Sequence, residues 1–313
     1  MRAFLFPGQG SQAVGMGATL AEASRAARDV FEQVDEALGQ NLFRLMREGP
    51  DEDLRLTENA QPAIMAHSMA VFAALTKEGG VELAKAASFV AGHSLGEYSA
   101  LAAAGSFDLP TTAKLLKLRG QAMQQAVPVG QGAMAALLGA DLALARRIAE
   151  VAAQGEVAAV ANDNDPSQVV LSGHKGAIDR VIEIAKEMGA KRAVSLPVSA
   201  PFHSPLMQPA VQPIIDELAT LEFRAPAFPI AENVSGTLVA DATELRSLLE
   251  RHVVSPVRWY DDAQALAAAG ATTFLECGPG DVLTKMAKRV VPGSRALAVG
   301  SPEAAVTAVS SAP

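Results

Sequence analysis

The stretch SFVAGHSLGE, residues 88–97, runs from an apolar segment through a turn with two glycines into a polar residue. Residues 88–91 are predicted to form a buried strand, and a helix is predicted from Glu97 onwards. The letters GHSLG match the pattern G-x-S-x-G, in which a sharp strand-to-helix turn exposes a serine hydroxyl. The helix N-terminus beneath that serine favours developing negative charge. The stretch therefore predicts an α/β fold with Ser94 as a nucleophile. The alternative is a structural corner in which Ser94 only caps the helix.

A serine nucleophile needs a base within hydrogen-bond reach. The chain has five histidines, which are His67, His93, His174, His203 and His252. His203 lies in the segment SAPFHSPLM, a loop predicted at a domain junction, where catalytic groups often occur. We therefore predict His203 as the base, although loop histidines also have structural roles.

Three of the other histidines are not predicted to take part in the reaction. His67 lies inside a predicted helix and is expected to be a packing residue. His93 adjoins Ser94, but its side chain is expected to point away from the hydroxyl across the turn. His174 follows a Ser-Gly turn and is expected to be exposed.

Composition excludes several classes of function. The 313 residues are 50% hydrophobic and 19% charged, which predicts one large domain or two unequal ones. A net charge of −8 and 4% aromatic residues argue against nucleic-acid binding. The single cysteine excludes an internal disulfide framework, and no apolar run is long enough for a signal peptide or a membrane span. We therefore predict a cytoplasmic protein that binds neither nucleic acid nor membrane.

Residues 128–197 have an order of elements of their own. The segments GAMAALLG, VAAVAND and SQVVLSG, together with residues 192–197, are predicted strands, and two helices lie among them. The resulting order β-α-β-β-α-β is that of a ferredoxin-like fold. We therefore predict a small ferredoxin-like domain at 128–197. It is inserted into a larger α/β domain with a parallel sheet core, formed by residues 1–127 and 198–313.

The sequence also predicts the bounds and buried faces of individual helices and the structure of the two chain ends. A helix is predicted at 59–75, with Pro62 in its first turn, where proline is tolerated. In the first helix of the small domain, the predicted core-facing residues are Leu144, Ile148, Val151 and Ala152. Residues 3–6 are predicted to form a strand, and the tail from Ser301 is predicted to be frayed.

Motifs along almost the whole chain resemble one family. In chain order they are FPGQGSQ, ENAQPAI, GHSLGEYSAL, KLRGQAM, APFHSPLM, SPVRW and ECGPGDVLTKMAKR, and the matches run from residue 4 to about residue 290. This set resembles the malonyl-CoA:acyl carrier protein transacylase family. The resemblance implies a hydrolase-like α/β domain and transfer of malonyl from coenzyme A to Ser94. From there malonyl would pass to the phosphopantetheine thiol of an acyl carrier protein in fatty acid biosynthesis.

The resemblance also implies roles for individual residues. Ser94 resembles the nucleophile and His203 the general base, and the N–H groups of Gln9 and Leu95 resemble the oxyanion hole. Arg119 resembles the residue that pairs with the malonyl carboxylate, a task that suits a guanidinium because it offers two parallel hydrogen bonds. Phe202 resembles a bulky residue that crowds branched acyl groups, and Asn162 resembles a pocket residue.

The chain departs from the family pattern at two positions. The family orients its histidine with a backbone carbonyl, typically that of a glutamine shortly before the P-V-x-W motif. Here His252 occupies that position, and a backbone acceptor does not depend on the side chain. Cys277 stands where the family usually has a small or apolar residue, and it is expected to be a buried packing residue.

Two other classes of function remain as alternatives. A serine hydrolase, either an esterase or a patatin-like lipase, shares G-x-S-x-G, but a patatin-like dyad needs an Asp-Gly pair, which this sequence lacks. A non-catalytic acyl-CoA-binding module is expected to have lost Ser94, His203 or Arg119, and all three are present. An acyltransferase that serves polyketide synthesis also remains open.

The resemblance implies malonyl-CoA and an acyl carrier protein as partners. It implies no metal and no cofactor, since the coenzyme A thioester is a substrate. The acidic chain is expected to be a monomer that receives the acidic carrier protein on a local basic patch. The candidate clusters are Lys191 with Arg192, and Lys285 with Lys288 and Arg289.

Overall fold

Two separate β-sheets organise the residues that the computed structural model describes, 1–82 and 86–300. The strands are β1 (Arg2–Phe6), β2 (Phe89–Gly92), β3 (Gly132–Leu138), β4 (Ala158–Asp165), β5 (Gln168–His174), β6 (Arg192–Ser195), β7 (Ile230–Glu232), β8 (Thr237–Val239), β9 (Thr273–Cys277) and β10 (Arg295–Val299). The α-helices are α1 (Ala18–Ala23), α2 (Arg25–Leu38), α3 (Leu42–Glu48), α4 (Asp51–Arg55), α5 (Thr57–Ala73), α6 (Leu95–Ala103), α7 (Leu109–Ala126), α8 (Leu142–Ala153), α9 (Lys175–Ile184), α10 (Gln208–Thr220), α11 (Ala242–Arg251), α12 (Trp259–Ala268) and α13 (Val282–Val290). A π-helical turn, Ala74–Glu78, follows α5, and 3₁₀ turns lie at Pro205–Met207 and His252–Val254.

The larger sheet is mixed, with a parallel majority. Its strand order is β10-β9-β1-β2-β7-β8, and only the edge strand β8 runs antiparallel to its neighbour. Because β1, β2, β7 and β9 are parallel, their carboxyl ends meet at one edge of the sheet. Functional groups collect at such an edge in open α/β folds. The chain is thus an α/β protein, as predicted.

The smaller sheet contains the four strands of residues 132–195. Its order is β4-β5-β3-β6, and every neighbouring pair is antiparallel. Helices α8 and α9 pack on one face of this sheet and form their own apolar cluster with it, around Leu137, Ile148 and Ile178.

Side-chain alternation in β1 distributes apolar groups to both faces of the larger sheet. Phe4 and Phe6 contact Phe72 of α5 edge-on, within the largest apolar cluster. Ala3 and Leu5 belong to the cluster on the opposite face, which contains the fully buried Trp259 of α12. Strand β1 is therefore buried on both faces, as is usual for a parallel sheet covered by helices.

The turn from β2 into α6 is built on two close backbone approaches. A Cβ added to Gly92 would lie 1.9 Å from the carbonyl carbon of Gly96, and a Cβ on Gly96 would lie 2.1 Å from the carbonyl oxygen of Phe6. Only residues without a side chain fit at these two positions. The turn therefore fixes the start of α6 against the end of β1.

Some details of the sequence prediction were wrong. Helix α5 begins at Thr57, because the Leu56 carbonyl accepts hydrogen bonds from the N–H groups of Asn59 and Ala60. Pro62 therefore lies in the second turn, where it is tolerated within a helix that is buried on nearly all sides. Val151 is 53% exposed, since the buried face of α8 passes through Ala145, Ile148, Ala149 and Ala152 instead.

None of the helices in residues 1–82 and 86–300 has both the length and the apolar character needed to cross a membrane. The tail from Ser301, predicted to be frayed, lies outside the described residues.

Replacement of Gly96 by alanine tests the packing of the turn. The new methyl group would have to push two backbone segments apart, so we expect a loss of about 1–3 kcal/mol in the free energy of unfolding. Gly176→Ala is a matched control, since Gly176 is also the second residue of a helix. There the added methyl group would meet only the ends of two flexible side chains, those of Glu156 and Arg180. Equal stabilities of the two variants in urea would contradict this account.

Candidate active site

Ser94 stands at the start of α6 in a strained backbone conformation. Its φ is 53° and its ψ is −111°, a region that residues other than glycine rarely adopt. The N–H of Ser94 donates a hydrogen bond of 2.8 Å to Oδ1 of Asn233. The strained turn projects the hydroxyl away from β2 and into a cavity at the edge of the larger sheet.

His203 faces this hydroxyl from a loop that is distant in sequence. Its Nε2 lies 2.7 Å from Oγ of Ser94, and its Nδ1 lies 3.0 Å from the carbonyl of Ser255 and 3.2 Å from that of His252. Carbonyl oxygens can only accept hydrogen bonds, so Nδ1 carries the proton of the neutral ring. Nε2 is therefore the acceptor for the Ser94 hydroxyl, as a general base requires.

Burial keeps the imidazole of His203 neutral. Removal from water is the main cause that lowers its pKa to about 3, and the positive charge of Arg119 and the nearby His93 lower it further. The two backbone carbonyls oppose this shift only in part. At neutral pH the ring is therefore ready to accept a proton.

Arg119 brings a buried positive charge to the same hydroxyl. Its side chain is 1% exposed, its Nη2 lies 3.1 Å from Oγ of Ser94, and its Nη1 donates a 2.7 Å hydrogen bond to Oε1 of Gln61. The guanidinium also lies over the ring of Tyr98, 5.3 Å from its centroid. Burial lowers the pKa of Arg119, but a guanidinium remains protonated at neutral pH.

A close approach of two helices positions Arg119. A Cβ added to the neighbouring Gly120 would lie 2.5 Å from the Cα of Glu58, so α7 can contact α5 only with glycine there. This contact brings Gln61 of α5 beside Arg119 of α7. The charge is thereby held between two closely packed helices.

A cavity of about 260 Å³ joins these groups. Its lining includes six of the residues predicted from the sequence, which are Gln9, Ser94, Arg119, Asn162, Phe202 and His203. Asn162 comes from β4 of the smaller sheet, and the segment after β6 contributes Leu196, Pro197 and Val198. The cavity therefore lies between the carboxyl edge of the larger sheet and the smaller sheet.

The predicted oxyanion donors lie on two segments that contact each other. A Cβ added to Gly8 would lie 2.6 Å from the carbonyl oxygen of His93, so the loop that holds Gln9 packs directly against the turn that holds Ser94 and Leu95. Within the described residues, neither the Gln9 nor the Leu95 N–H donates to a protein acceptor. Gln9 lines the cavity, and Leu95 directly follows Ser94 in the chain.

The remaining histidines and the cysteine lie outside the reacting pair. His93 turns towards the small sheet, with Nε2 at 2.9 Å from Oδ1 of Asn164, and burial lowers the pKa of His67 to about 4. His174 was expected to be exposed but is only partly so, because its Nδ1 accepts a hydrogen bond from the Val157 N–H. Cys277 is fully buried and burial raises its pKa, as expected of a packing residue.

Sequence reasoning missed four residues that support the site: Gln61, Tyr98, Asn233 and Ser255. Gln61 lies in the quoted motif ENAQPAI, although the motif alone assigned it no role. Ser255 lies three residues from His252, the predicted carbonyl acceptor, and both carbonyls face Nδ1 of His203. Tyr98 lies in the quoted motif GHSLGEYSAL without an assigned role, whereas Asn233 lies in none of the quoted motifs.

The geometry defines a class of enzyme. A serine hydroxyl bonded to a neutral histidine, at a strand–helix corner with unpaired N–H groups nearby, is the arrangement of enzymes that transfer acyl groups through a serine ester. A cavity with a buried guanidinium beside the hydroxyl suits an acyl group that carries a negative charge.

Comparison with known proteins identifies the family. The family model of the acyl transferase domain matches residues 3–308, and the chain belongs to this family. The curated malonyl CoA-acyl carrier protein transacylase of Escherichia coli (strain K12) is 42% identical over 307 residues, which are 98% of each chain.

Solved structures with similar names resemble this chain over nearly its whole length. The crystal structure of acyl-carrier-protein-S-malonyltransferase from Bartonella henselae is 48% identical, with a TM-score of 0.96 over 99% of this chain and 98% of that chain. A malonyl-transacylase in complex with its type II PKS acyl-carrier protein is 40% identical, with a TM-score of 0.95 over 99% of each chain.

The pH dependence of Ser94 acylation tests the state of His203. With p-nitrophenyl acetate as the acyl donor, we expect a nearly constant acylation rate from pH 8 to pH 5, because a base with a pKa of about 3 stays neutral over this range. A histidine with the ordinary pKa of about 6.5 would lose about 30-fold at pH 5. A decline with a midpoint near pH 6.5 would contradict the assignment, with Ser94→Ala giving the background.

Proposed function

We propose that the chain is a malonyl-CoA:acyl carrier protein S-malonyltransferase of fatty acid biosynthesis, with Ser94 as its nucleophile. The observation that carries this proposal is the contact of a single hydroxyl with two different groups. Oγ of Ser94 lies 2.7 Å from Nε2 of His203 and 3.1 Å from Nη2 of Arg119. The first contact serves acyl transfer in general, and the second selects an acyl group with a carboxylate.

The first half-reaction forms the acyl-enzyme. His203 takes the proton of Ser94 while Oγ attacks the thioester carbonyl of malonyl-CoA, and the resulting oxyanion accepts hydrogen bonds from the Gln9 and Leu95 N–H groups. The carbon–sulfur bond then breaks, and His203 returns the proton to the departing thiolate of coenzyme A. Malonyl remains as an ester on Ser94.

The second half-reaction repeats the chemistry with a different thiol. The phosphopantetheine thiol of the acyl carrier protein gives its proton to His203 and attacks the ester carbonyl. Collapse of the tetrahedral intermediate breaks the bond to Oγ, and the proton returns from His203 to Ser94. The backbone carbonyls of His252 and Ser255 hold the imidazole in the tautomer that both halves need.

Arg119 supplies the selectivity in this proposal. The carboxylate of malonyl lies two bonds from the carbonyl carbon that Ser94 attacks, so a guanidinium beside Oγ is within reach of it. Nε of Arg119 is buried and has no hydrogen-bond partner in the part of the chain that the structure describes, which leaves a further donor on this cation. Phe202 and Asn162, both in the cavity lining, are proposed to limit the bulk and position of the acyl group.

The organisation of the chain is proposed as predicted from the sequence. The strand order β4-β5-β3-β6, with α8 and α9 on one face, supports an inserted ferredoxin-like domain at 128–197 within a larger domain of residues 1–127 and 198–313. The single, unpaired cysteine supports a cytoplasmic location. A monomeric state, and a reaction without metal or cofactor, also remain predictions.

A basic patch for the carrier protein is part of the proposal, but the two candidate clusters differ. Lys285 is paired with Asp281 at 2.8 Å, and Nε of Arg289 lies 2.8 Å from the buried carboxylate of Asp165. Lys191, Arg192 and Lys288 are exposed, and no ion pair within the described residues involves them. We therefore assign the docking charge to these three residues.

A polyketide acyl carrier protein is a second candidate acceptor. The solved malonyl-transacylase that is similar over 99% of this chain was obtained in complex with a carrier of that kind. Parallel assays with a fatty-acid and a polyketide carrier protein would rank the two acceptors by kcat/KM.

Removal of the nucleophile tests the central assignment. After incubation with malonyl-CoA, the intact mass of the wild type should increase by one malonyl group, and Ser94→Ala should show no increase. Loss of such a nucleophile costs on the order of 10⁶ in turnover. His203→Ala should acylate far more slowly while binding malonyl-CoA normally. A malonyl adduct on Ser94→Ala, or rapid release of free malonate by the wild type, would contradict the proposal.

Arg119→Met tests selectivity while preserving most of the buried volume. Each lost charge-assisted hydrogen bond to the malonyl carboxylate costs about 1.5–3 kcal/mol, or roughly 10- to 150-fold. Acetyl-CoA has no carboxylate, so its transfer should decline far less. Arg119→Lys keeps the charge but loses the paired donors. Its rate of malonyl transfer should therefore lie between those of the wild type and Arg119→Met. Equal losses for malonyl and acetyl would mean that Arg119 has only a structural role.

Charge reversal tests the docking surface. The triple variant Lys191→Glu, Arg192→Glu and Lys288→Glu should raise the KM for carrier protein and leave acylation by malonyl-CoA largely unchanged. The effect should shrink with added salt, since the Debye length is about 8–10 Å at 0.1–0.15 M. The control reverses three exposed cations outside both clusters, Arg25, Lys77 and Lys186. An unchanged KM at low salt, or an equal effect in the control, would place docking elsewhere.

A further inference from the structure

Asn233 lies directly behind the turn that holds Ser94, although the two residues are far apart in sequence. Strand β7 ends one residue before Asn233 and pairs in parallel with β2, with Val90 opposite Ile230 and Ala91 opposite Ala231. This register carries Asn233 to the level of the turn. Its side chain is completely buried, so every polar atom in it needs a partner within the protein.

The hydrogen bonds of Asn233 fix which way its amide points. Nδ2 donates to the carbonyl of Gly92 at 2.8 Å and to Oδ2 of Asp262 at 2.9 Å, and a carbonyl can only accept. Oδ1 must therefore face the opposite side, where it accepts the N–H of Ser94 at 2.8 Å. The backbone N–H of Asn233 donates to the buried carboxylate of Glu97 in α6 at 3.1 Å. The amide thus holds both sides of the turn, at Gly92 and at Ser94.

The same amide oxygen also contacts the support of the base. Nε2 of His252 lies 3.3 Å from Oδ1 of Asn233, and the backbone carbonyl of His252 accepts from Nδ1 of His203. His252 is fully buried, and burial lowers the pKa of its imidazole well below the usual value, so the ring is neutral. Oδ1 of Asn233 is therefore joined to the Ser94 N–H by one hydrogen bond, and to His203 through His252.

Backbone strain explains why such a connection is needed. Among the described residues, three that are not glycine have a positive φ, and two of these are Ser94 at 53° and His203 at 54°. Such conformations are unfavourable and persist only where the surrounding structure holds them in place. Without Asn233, the Ser94 N–H would lose its buried acceptor, and the turn would be free to relax.

We propose that Asn233 is a positioning residue, which holds the strained Ser94 turn and, through His252, the His203 imidazole at their reactive separation. This inference rests on the proposed function, in which Ser94 attacks and His203 accepts the proton. Asn233 contacts no substrate atom in this scheme, so its loss should lower the rate of chemistry and leave malonyl-CoA binding unchanged.

Pre-steady-state acylation separates positioning from a merely structural role. In a rapid-mixing experiment with malonyl-CoA, the amplitude reports the folded fraction, whereas the rate constant reports the chemistry within folded molecules. For Asn233→Ala we expect the saturating rate constant to fall on the order of 100-fold, as a misplacement of about 1 Å can cause. The malonyl-CoA concentration at half-saturation should stay within twofold. Asn233→Ser, which is less disruptive, provides a second variant if little of the alanine variant folds.

A second buried asparagine provides the matched control. Asn59 also makes several side-chain hydrogen bonds, to the carbonyl of Asp53, to Gln40 and to Lys117, but contacts neither reacting residue. Asn59→Ala should lower stability and amplitude and leave the rate constant unchanged. If the Asn233 variants lose amplitude but keep the wild-type rate constant, Asn233 is only structural and the inference is wrong. If the wild type itself fails to acylate, the proposed function fails and this inference fails with it.

Discussion

The turn between β2 and α6 leaves no room for a side chain at Gly92 or Gly96, and the rest of the site depends on this tight contact. Because the end of β2, the start of α6 and the end of β1 touch through backbone atoms alone, few positions are open to Ser94. The position that it occupies has a φ of 53°. The loop that holds Gln9 contacts this turn on one side, and Asn233 contacts it on the other.

Burial then gives the two titratable partners of the hydroxyl, His203 and Arg119, different charge states. Removal from water lowers the pKa of His203 to about 3, and the imidazole becomes a neutral acceptor, while Arg119 keeps its charge because a guanidinium rarely deprotonates. The positive charge of Arg119 also helps keep His203 neutral. In the proposed mechanism, the guanidinium that binds the malonyl carboxylate is therefore the same group that helps keep the histidine neutral.

Local sequence patterns were sufficient for the parts of the site that depend on local geometry. The motif around Ser94 predicts its own strand, turn and helix, and the order of segments in 128–197 predicts four strands and two helices that the structure contains. The errors concern the start of α5, where hydrogen bonds to the Leu56 carbonyl place Pro62 in the second turn, and the exposed Val151, where packing decides which face of α8 is buried. Asn233 could not be found, because its role depends on a strand register that joins residues 139 positions apart.

Transfer from an isolated acyl-enzyme tests the central claim most directly, since the account requires malonyl to reside on the protein between two half-reactions. The wild type is first acylated with malonyl-CoA and freed of all coenzyme A. It is then mixed with holo acyl carrier protein, and the intact masses of both proteins are followed. The account predicts that the enzyme loses one malonyl group while the carrier gains it, and that an apo carrier gains nothing. Malonylation of the carrier only when malonyl-CoA is present, with the isolated acyl-enzyme inert, would contradict it.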